Sequence, residues 1–440
     1  MKVYLETLGC PKNFNDSEVA LGSITDQGFE ITENPEEADF IVVNTCGFIN
    51  DAKIESINRL FELSQIKKEG AKILGAGCLT QRYAQDLFEE MPELDGITGV
   101  NEYSIIGELL QKMENTDERL LSVEGEKSDV IEYCRREIPS DCHTSTIKIA
   151  EGCDNACTYC SIPVIRGRFR SKKIEDVIKE AEELAKRGCK EIVLVAQDVA
   201  AYGIDLYGKY SLSELLRELC KVQGIRWIRL MYCYEDKITD ELIQTMAEEE
   251  KICNYIDIPL QHGSDNVLKR MRRKSTRSSI DDTLARLKKA MPDIHVRTTL
   301  IVGFPGETEE DYEELIDFVE EERFSRLGVF AYSREEGTPA DRMQDQVPED
   351  IKEQRLDGIM RRQIDISLQW NQEKVGDVME VIVDLEEETG TYQGRTRYDA
   401  PEIDNSVIFT SDRKLKPGDI VMVRILDAFD YDLVGEEVYE

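Results

Sequence analysis

Histidine, positive charge and long apolar runs are all scarce in this 440-residue chain. Only three histidines occur, which argues against a histidine-rich zinc or non-haem iron centre. No stretch of about 18 apolar residues is found, so no membrane-spanning helix is predicted. The first residues carry a single lysine and no apolar signal region, which favours a cytoplasmic protein.

The shortage of positive charge amounts to 55 Lys and Arg against 90 Asp and Glu, a net charge of −35. Because nucleic-acid phosphates repel such a chain, it is a poor general nucleic-acid binder, and a basic partner suits it better. Hydrophobic residues make up 41% of the chain, which is enough for folded cores and excludes global disorder.

Strand and helix patterns alternate in the first third of the chain. This alternation predicts an open parallel sheet with helices on both faces, an α/β fold. The expected strands cover residues 3–8, 40–44 and 72–75, and the expected helices cover 17–27, 52–66 and 82–90. A polar stretch over residues 114–128 is interpreted as a linker.

From residue 146 the alternation resumes and runs six times, which predicts a (β/α)6 barrel, either a TIM barrel or a partial TIM barrel. Its strands are expected at 146–150, 191–196, 227–233, 255–260, 295–302 and 327–332, and a last helix at 350–370. From residue 375 onward, short alternating runs between Gly, Pro and Asp predict a small all-β barrel. The predicted domains are therefore residues 1–132, 133–371 and 372–440.

Three cysteines, Cys153, Cys157 and Cys160, stand at C-x3-C-x2-C spacing after the first predicted barrel strand. Thiolates this close on one loop can hold a 4Fe–4S cluster and leave one iron open. Zinc is the alternative, but structural zinc prefers four protein ligands, and the nearby Cys142 and His143 are irregularly spaced. With twelve cysteines and no secretory signal, metal or redox chemistry is favoured over a disulfide framework.

A second set of cysteines, Cys10, Cys46 and Cys78, has no linear spacing, yet each follows a predicted strand directly, with a glycine beside it. Because the carboxyl ends of parallel strands share one edge of a sheet, the three thiols should converge there. The alternative is three unrelated buried cysteines, since free Cys often packs as a small hydrophobic residue. The other six show no comparable pattern and are expected to be mostly structural: Cys134, Cys142, Cys189, Cys220, Cys233 and Cys253.

The triplet on the loop after the first strand of a partial barrel resembles the radical S-adenosylmethionine (SAM) superfamily. The resemblance implies that the open iron binds SAM and that reduction cleaves SAM to a 5′-deoxyadenosyl radical. In barrel enzymes the working residues lie at the carboxyl ends of the strands. The candidate SAM-binding residues are Tyr159, Gln197, Gln261, Gly303 and Arg297, the last lying within the fifth strand.

The whole chain, from Leu8-Gly9-Cys10 to the terminal barrel, resembles the radical SAM methylthiotransferases. The resemblance implies a second 4Fe–4S cluster on Cys10, Cys46 and Cys78. It also implies a terminal TRAM domain that recruits the substrate, and a transferase that uses SAM both as methyl donor and as radical source.

Two branches of this family differ in substrate. One modifies tRNA adenosine, and the other modifies the β-carbon of an aspartate of small-subunit ribosomal protein S-twelve. The run Pro11-Lys12-Asn13 after the first cysteine resembles the protein-modifying branch, because the tRNA branch usually carries Gln-Met-Asn there. The tRNA branch remains the alternative, and a two-cluster electron-transfer or carrier protein is the non-enzymatic one.

Charge in the terminal barrel favours the protein substrate. Residues 371–440 contain 7 Lys and Arg against 18 Asp and Glu, a net charge of −11, which should attract a basic ribosomal protein and repel RNA. The acidic runs Glu386-Glu387-Glu388 and Glu436-Glu437 are expected at the surface. The other expected partner is an electron donor such as flavodoxin or ferredoxin, and the expected state is a monomer without membrane association.

One local basic run interrupts this acidity, and it comprises Arg166, Arg168, Arg170, Lys172 and Lys173. We interpret it as offsetting the acidic surroundings or beginning a helix. Contacts with rRNA, or with carboxylates near the substrate, are the alternative.

Overall fold

The computed structural model describes residues 1–123, 133–138 and 142–439, so part of the predicted linker lies outside it. The described chain forms two compact units. The first takes its residues from 1–139, 150–176 and 333–341, and the second from 140–149, 177–332 and 342–440. Within the described residues, no helix combines the length and apolarity needed to span a bilayer.

A six-stranded parallel sheet with strand order β2-β1-β3-β4-β5-β6 forms the core of the first unit. Its elements are β1 (Lys2–Thr7), α1 (Pro11–Asp26), β2 (Glu30–Ile31), β3 (Phe40–Thr45), α2 (Asn50–Ile66), β4 (Lys72–Gly77), α3 (Cys78–Arg82), α4 (Ala84–Glu90), β5 (Gly96–Thr98), α5 (Ile106–Glu114) and β6 (Leu120–Ser122). Successive strand residues point to opposite faces. Val42 and Leu74 therefore belong to the hydrophobic cluster that α1 and α5 form on one face of the sheet. Ile41 and Ile73 belong to the cluster that includes α2 on the other face. The predicted open parallel sheet with helices on both faces is confirmed.

The sequence prediction did not include β2, β5 and α5 of this unit, and it also differs from the structure at α1, at the third predicted helix and at β6. Helix α1 begins at Pro11, six residues before the predicted start, because proline suits the first helical turn and the buried polar residues that follow hide the apolar periodicity. The third predicted helix begins early, at Cys78, and is interrupted at Tyr83, which separates α3 from α4. Strand β6 lies within the stretch interpreted as a linker.

The second unit contains a six-stranded, all-parallel sheet with strand order β14-β13-β12-β11-β10-β7. The elements from the first barrel strand onward are β7 (Thr144–Lys148), β8 (Ala150–Glu151), α6 (Ile162–Ile165), β9 (Arg170–Ser171), α7 (Ile174–Lys186), β10 (Glu191–Val195), α8 (Ile204–Tyr207), α9 (Leu212–Cys220), β11 (Trp227–Leu230), α10 (Asp240–Glu248), β12 (Ile252–Gln261), α11 (Asp265–Arg270), α12 (Arg277–Ala290), β13 (His295–Val302), α13 (Glu309–Glu322), β14 (Arg326–Ala331) and α14 (Glu349–Gln372). Of these, β8, α6 and β9 belong to the first unit. All six predicted barrel strands are present, and the βα repeat of the partial barrel is confirmed.

A closed five-stranded barrel of order β15-β16-β17-β19-β18 ends the chain. Its strands are β15 (Val378–Glu388), β16 (Thr391–Thr396), β17 (Ser406–Thr410), β18 (Ile420–Ala428) and β19 (Asp432–Glu437). Strand β16 escaped the sequence analysis because it is polar and contains Gly394, where a Cβ atom would collide with the carbonyl of Ile382. The predicted small all-β barrel is confirmed.

Candidate iron–sulfur sites

The carboxyl ends of β1, β3 and β4 carry the first cysteine set, and these strands are neighbours in the sheet. Cys10 caps the start of α1, Cys46 follows β3 and Cys78 is the first residue of α3. A Cβ atom on Gly9 would lie 2.8 Å from Cys46 Cβ, and one on Gly77, whose φ is +107°, would collide with the backbone of β3. The two glycines thus allow the strand ends to approach, and the structure places all three thiols at the predicted edge.

Buried polar side chains fix the ends of β1 and β3 beside these thiols. Asn13 Nδ2 donates to the carbonyls of Leu8 at 2.8 Å and Thr45 at 3.3 Å. Asn44 Nδ2 donates to the Asn13 carbonyl at 2.8 Å and to Ser17 Oγ at 2.9 Å. The polar residues at the start of α1 can be buried because they form hydrogen bonds with backbone groups at the ends of the strands.

The guanidinium group of Arg166 lies against the same edge. Its Nη2 atom is 3.3 Å from Cys78 Sγ and donates to Asn13 Oδ1 at 2.8 Å. Its Nη1 atom donates to Asp16 Oδ2 at 2.9 Å and to the Glu151 carboxylate at 3.0 Å. Arg166 is 2% exposed, so its charge is balanced by buried carboxylates and not by solvent.

The basic run is thus not uniformly a surface feature. Arg166 and Lys172 are buried, whereas Arg168 is exposed and pairs with Asp154. Arg166 does offset acidic surroundings, as the run was interpreted to do, but the carboxylates are buried ones, those of Asp16 in α1 and of Glu151. In the sequence, Arg166 is distinguished only by its position six residues after Cys160. Its burial depends on the fold of the triplet loop.

Backbone hydrogen bonds shape the loop that carries the second set. Cys153 N donates to the Gly167 carbonyl at 3.1 Å, and Cys160 N donates to the Cys157 carbonyl at 3.2 Å. The short antiparallel pair of β8 and β9 closes the loop at its base. Cys153, Cys157 and Cys160 are therefore held on one folded loop, beside the turn that carries Arg166.

The donor chemistry of both sets fits iron–sulfur clusters. Sulfur atoms of both sets have N–H groups nearby, among them Arg166 Nη2 at 3.3 Å from Cys78, Asn155 Nδ2 at 3.4 Å from Cys153, and the Ile162 amide at 3.4 Å from Cys160. Hydrogen bonds to cysteine sulfur are among the factors that tune such clusters. Among the described side chains, no three His, Cys, Asp or Glu are grouped as they would be around one metal ion. In a cubane, by contrast, each cysteine binds a different iron, which spreads the ligands.

The thiols of the first set differ in acidity. Burial raises the pKa of Cys10, but the charges of Lys12 and Arg166, with two backbone N–H groups of α1, outweigh it and lower that pKa below its usual value. Burial raises the pKa of Cys46 to about 11 and, in the triplet, that of Cys160 to about 12. A bound cation deprotonates a coordinating thiol, so bound iron would overcome the raised pKa of these two thiols.

Three of the SAM candidates lie at carboxyl ends of the barrel strands. Gln197 follows β10, Gln261 ends β12 and Gly303 follows β13. Gln261 has a φ of +74°, a strained conformation for a residue other than glycine, and such strain clusters at functional sites. Tyr159 lies in the first unit, on the loop of the triplet.

Arg297 is placed differently from these candidates. It is the third residue of β13 and lies six residues before Gly303, about 20 Å along a strand. Its Nη1 donates to Asp257 at 3.0 Å, and its Nε lies 3.4 Å from Asp404 of the terminal barrel. The charge of Arg297 is therefore engaged at the opposite end of β13 from Gly303, where it helps to anchor the terminal barrel.

Comparison with known proteins identifies three family models that match successive parts of the chain. The family model of the Radical SAM superfamily matches residues 147–319, that of uncharacterized protein family UPF0004 matches residues 2–99, and that of the TRAM domain matches residues 375–438. The three matches follow the order of the predicted domains.

Curated relatives match over essentially the whole chain. A protein of Clostridioides difficile named ribosomal protein uS12 methylthiotransferase RimO is 46% identical over 100% of this chain and 99% of its own. Proteins of the same name from Desulforamulus reducens and Clostridium tetani are each 48% identical, over 98% and 99% of this chain and 98% of their own. Among solved structures, the radical SAM methyltransferase TsrM of Kitasatospora setae, at 13% identity, aligns with a TM-score of 0.58 over 88% of this chain and 79% of its own. At that identity the last likeness concerns the fold alone.

Proposed function

The chain belongs to the RimO family of ribosomal protein uS12 methylthiotransferases, and we propose that it catalyses the reaction for which those relatives are named. It places a methylthio group on the β-carbon of an aspartate of uS12, the small-subunit protein S-twelve. SAM and 4Fe–4S clusters are its cofactors, and SAM serves both as methyl donor and as radical source.

The observation that carries this proposal is the presence of two separate three-thiol sets in one compact unit. When bound, the cluster at Cys153, Cys157 and Cys160 would supply the electron for SAM cleavage, and the open iron of the cluster on the first set would hold the sulfur to be transferred. The task of the chain is to hold six thiolates in two fixed groups and to leave one iron of each cluster open.

Each set is held by different parts of the chain. The first depends on three neighbouring strand ends and on the buried amide of Asn13, which bonds two of their carbonyls. The second depends on one loop closed by β8 and β9. A substitution in one set should therefore leave the ligands of the other in place.

For SAM itself we propose contacts from Gln197, Gln261 and Gly303 at the strand ends and from Tyr159 on the triplet loop. The two glutamines offer amide donors and acceptors, and Gly303 lets its backbone approach a ligand closely. Arg297 is less suited, because Asp257 and Asp404 already engage its charge.

Recruitment of uS12 by the terminal barrel is supported by the charge on its surface. Eight exposed acidic residues lie between 378 and 439: Glu386, Glu387, Glu388, Glu402, Asp412, Asp427, Asp430 and Glu436. Four exposed basic residues accompany them: Arg413, Lys414, Lys416 and Arg424. This excess of negative charge favours a basic protein over the phosphates of tRNA. We further propose a cytoplasmic monomer that receives electrons from a flavodoxin or a ferredoxin.

The test is mass analysis of uS12 and of tRNA from a strain that lacks the gene. Loss of the methylthio group from uS12, with tRNA modification unchanged, is expected. Complementation with the wild-type gene should restore the group, whereas complementation with a Cys46→Ala variant should not. Loss of a methylthio group from tRNA, with uS12 unchanged, would contradict the proposal.

A further inference from the structure

Arg166 physically connects the two cysteine sets. It lies on the segment between the triplet and β9, where its backbone N–H donates to the Ile162 carbonyl at 2.7 Å. Its side chain reaches Cys78 Sγ of the first set at 3.3 Å. Both sets belong to the same compact unit. Within it, Arg166 of the triplet loop contacts Cys78, a ligand of the first set.

The contacts of the guanidinium group fix its direction. Nη1 is occupied by the Asp16 and Glu151 carboxylates, and Asn13 accepts one hydrogen bond from Nη2. This leaves the second N–H of Nη2 directed at the sulfur of Cys78. Because the guanidinium is planar and rigid, the carboxylates orient it as well as balance its charge.

We propose that Arg166 is a positioning residue that sets the reduction potential of the cluster on Cys10, Cys46 and Cys78. This inference rests on the proposed function, since it assumes a cluster at that set. Reduction adds one electron, and hence one negative charge, to the cluster. A buried cation with an N–H bond to a ligand sulfur stabilises the reduced form and raises the potential.

The carboxylates of Asp16 and Glu151 act in the opposite direction. Each places a negative charge on the far side of the guanidinium and reduces the field that the cluster experiences. Arg166 and Asp16 should thus shift the potential with opposite signs when each is neutralised. A purely structural role for either residue predicts no such opposition.

The experiment is a redox titration followed by electron paramagnetic resonance on full-length protein. Cys153, Cys157 and Cys160 are replaced by alanine, so that only the first cluster contributes. Arg166→Gln should lower the midpoint potential by about 59 mV or more, which is a tenfold shift of a one-electron equilibrium. Asp16→Asn, which keeps an oxygen acceptor for Arg166, should raise it.

Arg168→Gln is the matched control, because Arg168 lies on the same segment but is exposed and pairs with Asp154. It should leave the potential unchanged. If Arg166→Gln prevents cluster assembly, the shift in Asp16→Asn decides alone. Equal reduction potentials in Arg166→Gln, Asp16→Asn and Arg168→Gln would overturn the inference. If Arg166→Gln does not assemble the cluster, an unchanged potential in Asp16→Asn would overturn it as well.

The same samples separate this inference from the proposed function. If the parent protein, with its triplet replaced, binds no cluster, the first cysteine set is not a cluster site and the proposed function fails. If it binds a cluster whose reduction potential is unchanged by Arg166→Gln and by Asp16→Asn, only the proposed role of Arg166 is wrong.

Discussion

Arg395 of the terminal barrel donates to Glu191 of barrel strand β10 at 2.7 Å, and the Glu191 side chain is completely buried. The other carboxylate oxygen of Glu191 accepts from Arg229 Nε, also at 2.7 Å. Ile382 of the terminal barrel joins the apolar cluster around Trp227. The terminal barrel is therefore anchored through buried contacts, and deleting it would strip partners from barrel residues. Point substitutions are the better probe of substrate recruitment.

Breaking this anchor should destabilise the protein. Glu191→Gln removes the carboxylate that pairs with the buried Arg229 and one of the two carboxylates that pair with Arg395, the other being Asp384. Removing one partner of a buried pair costs about 3–5 kcal/mol. Urea unfolding of wild type and variant measures the loss. Glu380→Gln is the control, because Glu380 joins the same two barrels through the exposed Arg226 and should cost about 1 kcal/mol or less. Equal losses in both variants would contradict the anchoring role.

The anchor should also weaken in acid. Burial raises the pKa of Glu191, but Arg395 and Arg229 outweigh it and lower that pKa from 4.5 to about 2. A carboxyl with a lower pKa in the folded state contributes stability that is complete above 4.5 and is lost as the pH falls towards 2. Unfolding free energies measured between pH 6 and pH 2 should fall more steeply for wild type than for Glu191→Gln. Parallel curves would show that Glu191 does not contribute.

Charge reversal tests substrate recruitment without disturbing the fold. Glu386-Glu387-Glu388 is exposed, and changing it to lysines should weaken uS12 binding mainly by slowing association, less so at high salt. Binding kinetics at two salt concentrations provide the measurement. Reversing Glu313, Glu314 and Asp317 on helix α13 of the barrel changes the total charge equally and should have a smaller effect. Unchanged affinity in the first variant, or tight tRNA binding by wild type, would contradict recruitment by charge.

Glu437 is unsuitable for such a test, although the sequence placed it in an acidic surface run. Its carboxylate is buried, accepts from Ser411 Oγ at 2.5 Å and pairs with Arg413. The surface expectation holds for Glu436 and is wrong for Glu437, because successive residues of β19 point to opposite faces.

Asn13 should control assembly of the first cluster. Asn13→Ala removes hydrogen bonds to the carbonyls of Leu8 and Thr45, and each unsatisfied buried group costs about 1–3 kcal/mol. Iron content should fall towards half of the wild-type value, while SAM cleavage persists. Asn58→Ala, at an exposed position of α2, should retain full iron content. Full iron content in Asn13→Ala would show that the strand ends hold the thiols unaided.

Local pattern predicted much of this fold. The apolar periodicity of β3 and of the six barrel strands identified the two parallel sheets, and the placement of Cys10, Cys46 and Cys78 after strands predicted a common edge. The start of α1 could not be found in this way, since Asn13, Asp16 and Ser17 face buried polar groups and break the helical pattern of apolar residues.

Contacts between segments that are distant in the chain could not be predicted from the sequence. Arg166 meets Asp16 across 150 positions, and Arg395 meets Glu191 across 204. An arginine on a buried carboxylate and an arginine in solvent look the same in the sequence, so charge pattern alone cannot distinguish them. Arg297 shows the same limit, because its position in a strand did not reveal the aspartates that engage it.

The most direct test of two separate clusters compares two triple variants by iron and sulfide content and by SAM cleavage under reducing conditions. Replacing Cys10, Cys46 and Cys78 with alanine should leave about half of the iron of a protein with two cubanes, keep SAM cleavage and abolish methylthio transfer. Replacing Cys153, Cys157 and Cys160 should also leave about half of the iron, but should abolish SAM cleavage. Loss of all iron in either folded variant would mean a single shared site and would contradict the account.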